Sequence, residues 1–405
     1  MLNAYIYDGV RTPFGRHAGA LSSIRPDDLA AYVIEALVNR HQLQADAFDD
    51  VILGNTNQAG EDSRNLARHA ALLAGLNVKT PGQTINRLCA SGLAAVIDAA
   101  RAVTCGEGEL FLAGGVESMS RAPFVFAKSA QAFSRDFTVF DSTIGARFPN
   151  PKIEEIYGND TMPETGDNVA EKYGISREEA DKFAAASQAK YEAARKAHFF
   201  DHEIISIEVD QGRKRPPLMV AHDEHPRPSS TVEVLSKLKP LQKDGVVTAG
   251  NASGINDGAA ILLIGSAAIE DTLKVKPIAK ILASGVVGVE PRVMGIGPIE
   301  AINIALMRAN LTMEDMDIIE INEAFASQVL ACLKGLNISF DDKRVNPNGG
   351  AIAMGHPLGA SGARLVLTTA RELQRTKKRF AVISLCIGVG QGLAVIIENP
   401  SIQDN

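Results

Sequence analysis

Four cysteines are the residues of this sequence best suited to covalent chemistry: Cys89, Cys105, Cys332 and Cys386. No two have the Cys-x-x-Cys spacing of a zinc site, so no metal site is predicted. Cys89 lies in NRLCASG, directly before a helix predicted to start near Ser91. The partial positive charge at a helix N-terminus lowers a thiol pKa, which favours a nucleophilic Cys89 over a buried structural one. Cys105 and Cys332 are interpreted as structural thiols.

A histidine in a glycine- and proline-rich turn is the second chemical feature. Seven of the seventeen residues in NPNGGAIAMGHPLGASG (346–362) are Gly or Pro, which predicts little regular structure over most of this segment. Gly355 and Pro357 flank His356 and would fix its backbone and expose its ring. This setting suits a general base or acid. The alternative is a purely structural turn.

Cys386 belongs to SLCIGVGQG (384–392), where an apolar strand meets alternating glycines. Another strand-like run, LAVIIE, follows instead of a helix, so a dinucleotide-binding loop is rejected. A tight turn there would leave backbone N–H groups free to bind an oxyanion. A plain hairpin with a buried thiol is the alternative.

Asn322 and Glu323 close a buried strand in IEINEAFAS. The C-terminal end of a strand is where α/β folds usually place ligands, so a site role is predicted. An equally open interpretation is an N-cap for a helix beginning near Ala324.

The elements that must position these residues alternate between strands and helices, which predicts an α/β fold. Predicted strands are Ala4–Tyr7, Val51–Leu53, Glu109–Ala113, Ile318–Ile321, Ala381–Leu385 and Leu393–Glu398. Predicted helices are Pro26–Arg40, Ser63–Ala74, Ser91–Val103, Arg177–Ala197, Pro298–Arg308 and Ser361–Gln374. From about residue 120 to 247 the chain is more irregular, with one strong helix, and this segment is interpreted as an insertion.

The two regions around Cys89 and His356 also resemble each other. A shift of 270 residues aligns 88–101 with 358–371 and gives seven identities in fourteen positions. A duplicated α/β unit is therefore predicted. Packing of its copies about a pseudo-twofold axis would bring Cys89 close to the turn of His356.

Composition excludes other classes of protein. The chain of 405 residues carries a net charge of −7, which argues against a nucleic-acid binder. No run reaches the roughly 18 uninterrupted apolar residues of a membrane helix. The N-terminus does not resemble a signal peptide, so a cytoplasmic protein with free thiols is expected.

Together these motifs resemble the thiolase family. NRLCASG, INEAF, GHPLGASGARL and CIGVGQG match its nucleophile, asparagine, histidine and second-cysteine motifs, in the family's order. The resemblance implies a duplicated five-layered α/β/α/β/α core with an inserted loop domain. Its parts would be an N-terminal half (1–119 plus 248–272), a loop domain (120–247) and a C-terminal half (273–405).

The resemblance also implies roles. Cys89 would become acylated, His356 would activate it, and Cys386 would move the proton at the α-carbon. Asn322 would hold a water that forms one oxyanion hole with His356. The N–H groups of Cys89 and Gly388 would form the other.

CoA is implied as a substrate of ping-pong turnover, with no cofactor. Its expected contacts are Arg227, Ser253, Ala249, Met162 and Phe325. A homo-oligomer, either a dimer or a tetramer, is also implied by the resemblance.

The identity of the acyl group is predicted from a motif in which this sequence differs from the short-chain thiolases. Those thiolases carry a His-Met pair where this sequence has Thr161-Met162, and the surrounding motifs resemble those of 3-oxoadipyl-CoA thiolases. Arg147 is a possible partner for a distal carboxylate. The alternatives are an acetyl-CoA C-acetyltransferase, a broad 3-ketoacyl-CoA thiolase, a ketosynthase and a non-catalytic scaffold.

Overall fold

The computed structural model describes residues 1–213 and 215–402. Its strands are β1 (Ala4–Arg11), β2 (Gly15–Arg16), β3 (Asp50–Gly54), β4 (Gly82–Ile85), β5 (Leu110–Ser118), β6 (Phe124–Phe126), β7 (Val139–Asp141), β8 (Ile207–Val209), β9 (Leu218–Val220), β10 (Asn256–Gly265), β11 (Ala279–Gly288), β12 (Ile318–Ile321), β13 (Phe380–Ile387) and β14 (Gln391–Glu398). Its α-helices are α1 (Pro26–Arg40), α2 (Leu66–Leu73), α3 (Ser91–Cys105), α4 (Pro151–Tyr157), α5 (Met162–Tyr173), α6 (Arg177–Lys196), α7 (Val232–Leu235), α8 (Glu270–Leu273), α9 (Gly297–Ala309), α10 (Ala326–Gly335), α11 (Ala351–Met354) and α12 (Leu358–Thr376).

The main sheet repeats one pattern of strand pairing. Its order is β12-β13-β14-β11-β1-β10-β5-β3-β4, with β2 beside β10. In the first half β3 is parallel to β5, and β5, β10 and β1 follow as antiparallel neighbours. In the second half β12, β13, β14 and β11 pair in the same senses. The predicted duplication is therefore confirmed. The halves join through a short antiparallel contact between β1 and β11.

Three apolar clusters show how helices and sheet are layered. The middle cluster contains residues of α3 and α12 together with one face of each half-sheet. A second cluster packs α1 and α2 on the other face of the first half. A third packs α9 and α10 on the other face of the second half. The layers therefore run helix, sheet, helix, sheet, helix, as predicted.

The middle helix α3 is mostly apolar because its first three turns are buried in the core, whereas Asp98 and Arg101 form a partly exposed ion pair towards its end. By length and composition, Leu88–Cys105 is the one described stretch that could cross a membrane, with a mean hydropathy of 1.5. In the fold, 61% of this stretch of 18 residues is buried. A buried core helix can have the same length and apolar composition as a helix that crosses a membrane.

The predicted elements were found, with some errors of extent. The bounds of α1 and β12 are those predicted, whereas β1 and β5 continue four and five residues further. The strand β11 and the helix α5 were missed. The segment 346–362 was wrongly predicted to be mostly irregular, because it contains α11 and the first turn of α12. Its glycines serve close packing as well as turns.

The segment 120–247 carries two small hairpins, β6–β7 and β8–β9, and the helices α4 to α7. The long helix α6 begins with a capping box, in which Ser176 and Glu179 each satisfy a backbone N–H group of the other. The division of the chain at residues 120, 248 and 273 stays a prediction.

Candidate active site

The loop that carries Cys89 is held in a strained conformation. Cys89 lies in a single turn of 3-10 helix, Leu88–Ala90, directly before α3. Leu88 has φ +45°, which is rare for a residue with a side chain. Asn86 Oδ1 accepts the Leu88 N–H at 3.0 Å, and Ser91 Oγ donates to the Leu88 carbonyl at 2.6 Å. The thiol is thus fixed at the start of the helix.

Glycines bring this loop against the loop of His356. A Cβ on Gly92 would lie 2.4 Å from the Gly359 carbonyl oxygen. A Cβ on Gly362 would lie 2.2 Å from the Leu93 nitrogen. The first turns of α3 and α12 therefore meet backbone to backbone. This contact brings together the two repeated segments, as the duplication predicted.

The His356 ring is held in one tautomer. Ser361 Oγ donates its single hydrogen to the Pro357 carbonyl at 2.8 Å. It therefore accepts the N–H of His356 Nδ1, at 2.6 Å. This leaves Nε2 without a proton, and Nε2 faces the amide nitrogen of Asn322 at 3.4 Å. An imidazole in this tautomer can accept a proton at Nε2.

The ring of His356 is buried, and the expected exposure was wrong. Only 4% of the residue is accessible. Burial, together with the Arg364 guanidinium, lowers the His356 pKa to about 3. The backbone N–H of His356 donates to Asn256 Oδ1 at 2.9 Å, which ties the turn to β10. At neutral pH the imidazole is therefore uncharged.

Asn322 follows β12 and is buried, with its Oδ1 unpaired among the described residues. The N-cap interpretation was wrong, because α10 begins at Ala326 with Phe325 as its N-cap residue. The Asn322 N–H donates to the Ser384 carbonyl of β13 at 2.9 Å. This bond ties the end of β12 to the strand that carries Cys386. The Asn322 side chain is free for the site.

Cys386 lies near the end of β13, opposite Gly392 of the β13–β14 hairpin. Val389 and Gly390 turn the chain with φ +62° and +79°. The Gly388 N–H lies near the Cys89 thiol and lowers its pKa. The hairpin therefore presents a backbone donor to Cys89 and buries the Cys386 thiol, which combines the two interpretations left open for this motif.

Both thiols are protonated at rest, and for Cys89 this is contrary to the expected low pKa. Burial raises the pKa of Cys89 to about 11, although the N–H groups of Gly388 and of Cys89 itself lower it. Burial raises the Cys386 pKa well above its ordinary value, and the nearby Cys89 adds to this effect. The loss of solvating water raises the pKa of Cys89 more than the helix N-terminus lowers it.

The remaining cysteines differ from each other. Cys332 is buried in α10, and its thiol donates to the Gly295 carbonyl at 3.2 Å, so it is a structural thiol as predicted. Cys105 is the exposed last residue of α3 and does not contribute to packing, contrary to the prediction. In the described part of the chain, no group of three or more His, Cys, Asp or Glu side chains could hold a metal ion.

Glu117 is a site residue that sequence reasoning missed. It is buried on β5 and accepts the N–H groups of Asn57 and Gly359 at 3.2 and 3.0 Å. Burial raises its pKa to about 7, and it acts electrostatically on Cys89. Glu117 lies in GGVESMSRAPF (114–124), and nothing in this local sequence indicates that its carboxylate joins β5 to the start of α12.

Glu323 supports the loop before His356. It is fully buried and accepts hydrogen bonds from Ser187 Oγ at 2.7 Å, Asn346 Nδ2 at 2.9 Å and the Ile352 N–H at 3.1 Å. One carboxylate therefore joins α6, the Asn346 turn and α11. Its position beside Asn322 was the available signal, but its partners are distant in sequence.

Two of the predicted CoA contacts adjoin the cysteines. Phe325 and Cys386 belong to one buried apolar cluster. The Ser253 N–H donates to the Ala324 carbonyl at 2.9 Å, which places Ser253 beside Phe325. A Cβ on Gly166 would lie 3.0 Å from the Phe325 ring, so α5 also packs there.

The other three predicted contacts lie at the surface. Arg227 is exposed, and its loop approaches Ser253 because the His225 ring packs on Gly254, where a Cβ would lie 2.3 Å from it. Ala249 is exposed, and Met162, at the start of α5, is 36% accessible. These surface groups lie on one side of the buried cluster of Phe325 and Cys386, where a large ligand could contact them.

Comparison with family models matches nearly the whole chain. Residues 4–268 match the thiolase N-terminal domain, and residues 275–399 match the thiolase C-terminal domain. The first match contains Cys89, and the second contains Asn322, His356 and Cys386.

Individual proteins are similar over their full length. The chain is 55% identical to a beta-ketoadipyl-CoA thiolase of Acinetobacter baylyi, over 98% of this chain and 100% of that protein. It is 54% identical to the 3-oxoadipyl-CoA/3-oxo-5,6-dehydrosuberyl-CoA thiolase of Escherichia coli, with the same coverage. The solved structure of human mitochondrial 3-ketoacyl-CoA thiolase in complex with CoA has a TM-score of 0.90 at 39% identity, over 98% of each chain. This chain is therefore an acyltransferase of the thiolase family.

Proposed function

We propose that this enzyme cleaves 3-oxoadipyl-CoA with CoA and forms succinyl-CoA and acetyl-CoA. The observation that carries the proposal is that the loops of half-buried Cys89, buried Cys386 and the neutral imidazole of His356 meet at one site. The names of relatives that are 54–55% identical over their whole length support the acyl group. The Thr161-Met162 pair, where short-chain thiolases carry His-Met, supports it as well.

The first half-reaction explains the arrangement around Cys89. The Cys89 sulfur attacks C3 of the substrate, and His356 Nε2 takes the thiol proton. The N–H groups of Cys89 and Gly388 stabilise the oxyanion at C3. The C2–C3 bond then breaks, and the departing enolate of acetyl-CoA takes a proton from the Cys386 thiol. A succinyl group remains on Cys89.

The second half-reaction returns the enzyme to its resting state. A new CoA thiol gives its proton to the Cys386 thiolate and attacks the carbonyl of the succinyl group. The Cys89 sulfur leaves and recovers its proton from His356. Asn322, with a bound water, and His356 stabilise the enolate oxygen during the first half-reaction. No step of this scheme requires a metal or another cofactor.

We propose that CoA binds to the groups around the buried cluster. Phe325, Ala249 and Ser253 would line the pantetheine arm, with Met162 at the start of α5. The exposed Arg227 would meet a phosphate, because a guanidinium offers several donors to phosphate oxygens. We also propose a homo-oligomer in the cytoplasm; the resemblance to the thiolase family supports the homo-oligomer.

A thiolysis panel tests the proposed substrate. The purified enzyme would be assayed with CoA and with acetoacetyl-CoA, 3-oxohexanoyl-CoA or 3-oxoadipyl-CoA. The highest kcat/KM is expected for 3-oxoadipyl-CoA. A preference for acetoacetyl-CoA would favour the acetyltransferase alternative, which a 38% identical acetyl-CoA acetyltransferase structure from Bacillus anthracis represents. Equal values across the panel would favour a broad thiolase.

A further inference from the structure

A carboxylate at the far end of the acyl group requires a cation that the catalytic residues do not supply. The protein is acidic overall, with a net charge of −7, so a carboxylate is attracted only by a local positive group. The arginines near the site differ in whether their charge is already neutralised by a partner. Arg147, Arg87 and Arg364 form no ion pair with a described residue, but Arg364 is fully buried and Arg87 already donates to Gln391 Oε1 at 3.4 Å.

Arg121 and Arg292 are already paired. Arg121 binds Glu61 through two nitrogens, Nε and Nη2, at 2.5 and 2.6 Å. Arg292 binds Asp160 in the same two-pronged way, at 2.8 and 3.3 Å. A guanidinium that already holds a carboxylate is a poor partner for a second one.

Arg147 is different. It lies between β7 and α4, half-buried, and its Nη2 donates to the Ser142 carbonyl at 3.0 Å. Its Nε is buried without a hydrogen-bond partner among the described residues. Arg147 forms no ion pair with the residues that the structure describes. A buried, unpaired guanidinium nitrogen is costly unless a ligand satisfies it.

A continuous set of hydrogen bonds connects the Arg147 region to the nucleophile loop. Asn57 Nδ2 donates to Ser142 Oγ at 3.1 Å, and Asn57 follows Thr56 at the end of β3. Asn86 Nδ2 donates to the Thr56 carbonyl at 3.0 Å. Asn86 Oδ1, in turn, accepts the N–H of the residue that precedes Cys89. These bonds connect the segment of Arg147 with the loop that carries Cys89.

We propose that Arg147 binds the distal carboxylate of the acyl group and thereby selects dicarboxylic 3-oxoacyl-CoA substrates. This inference rests on the proposed function, in which a succinyl group is carried on Cys89. The planar guanidinium matches a carboxylate through two parallel hydrogen bonds. Ser142 and Asn57 would hold the arginine in position. Both acyl groups in the name of the Escherichia coli relative are dicarboxylic, which fits such a site.

The test compares two substrates that differ only at the far end. 3-Oxohexanoyl-CoA has the chain of 3-oxoadipyl-CoA with a methyl group in place of the carboxylate. In Arg147→Gln, kcat/KM for 3-oxoadipyl-CoA should fall roughly 10- to 100-fold, as expected for loss of a charged hydrogen-bond partner. The value for 3-oxohexanoyl-CoA should stay within about threefold. Arg147→Lys, which keeps the charge but loses the planar fork, should fall between wild type and Arg147→Gln.

Arg135→Gln is the matched control, because Arg135 is an exposed cation of the same segment and its replacement changes the net charge equally. It should leave both substrates unchanged. A parallel fall for both substrates in Arg147→Gln, or no change for either, would overturn the role of Arg147. The ratio of the kcat/KM values for the two substrates tests the role of Arg147, whichever acyl-CoA the wild-type enzyme prefers. The wild-type panel therefore judges the proposed function separately.

Discussion

At the scale of single residues, the resting site holds its reactive groups without charge. Burial keeps the Cys89 and Cys386 thiols protonated and the His356 imidazole neutral. Charge therefore develops only when a substrate arrives, at an oxyanion that faces fixed N–H donors. Donors that are already oriented need no rearrangement at that moment. Ser361 matters because it leaves the proton-accepting nitrogen of His356 free.

Separate replacement of the two cysteines should divide the reaction into its steps. Cys89→Ala should abolish both thiolysis and the acyl adduct that mass spectrometry detects after incubation with an acyl-CoA. Cys386→Ala should still form the adduct but lose turnover by about 10²- to 10⁴-fold, because its proton transfer is missing. Cys105→Ala, at an exposed position, should change neither measurement. Normal turnover in Cys89→Ala would refute the proposed nucleophile.

The buried histidines should make the fold sensitive to acid. Burial, with Arg364 or Arg227 nearby, lowers the pKa of His356 to about 3 and of His225 to about 4, from 6.5. Below pH 6.5 the unfolded chain gains protons that the folded chain does not, so stability is full above that pH and declines below it. The free energy of unfolding should fall by roughly 1.4 kcal/mol per pH unit for each histidine between pH 6 and pH 4.

Urea unfolding at several pH values measures this slope. His356→Asn and His225→Asn should each reduce it, because each removes one group that binds a proton on unfolding. His198→Asn is the control, since the His198 side chain is 80% exposed. If the slope of His356→Asn equals that of the wild type, the histidine is not held neutral in the folded enzyme.

At the scale of elements, the first turns of α3 and α12 decide the geometry of the site. Both begin with the same Leu-x-Ala-Ser-Gly pattern, and their glycines let the backbones touch. This contact sets the separation between the loops of Cys89 and His356. The serines of the two copies have diverged in use. Both serines donate to a carbonyl of the preceding turn, but Ser91 Oγ accepts the backbone N–H of Arg87, whereas Ser361 Oγ accepts the ring N–H of His356.

Adding one methyl group at this contact should be costly. In Gly362→Ala the new Cβ would lie 2.2 Å from the Leu93 nitrogen, so the helices must separate. The free energy of unfolding should fall by about 2–3 kcal/mol or more, with a loss of activity as the two loops move apart. In Gly288→Ala the nearest atom would be 3.9 Å away, so stability and activity should stay near wild type. Equal unfolding midpoints for the two variants would contradict the proposed close packing.

At the scale of the whole molecule, the site is assembled from both halves of the duplicated body. Cys89 comes from the first half, and Asn322, His356 and Cys386 come from the second. Only the first copy supplies the nucleophile, since position 359 of the second copy is a glycine. The duplication therefore built one asymmetric site from two similar scaffolds.

The surface of the segment 120–247 bears on the proposed homo-oligomer. Phe124, Phe126, Phe133 and Phe137 are 61–103% exposed, an unusual concentration of aromatic surface. We expect a second copy of the chain to cover this surface. Sedimentation should show a dimer or a tetramer. Replacement of Phe124 and Phe126 by serine should reduce the number of chains in this assembly. A monomeric wild-type enzyme would contradict the expectation.

From the sequence alone, the reactive residue types, the α/β alternation and the internal repeat could be determined. Each rests on local information, such as the turn residues beside His356 or the match of 88–101 with 358–371. The roles of Glu117 and Glu323 could not be determined, because their hydrogen-bond partners come from distant parts of the chain.

Only the tertiary structure decided the protonation states. The local sequence places Cys89 at a helix N-terminus and His356 between Gly and Pro, which suggested an acidic thiol and an exposed ring. Packing of the two halves half-buries Cys89 and buries His356, and it reverses both expectations. The physical reason is that solvation depends on every neighbour that surrounds a group in space, and sequence spacing does not record which neighbours those are.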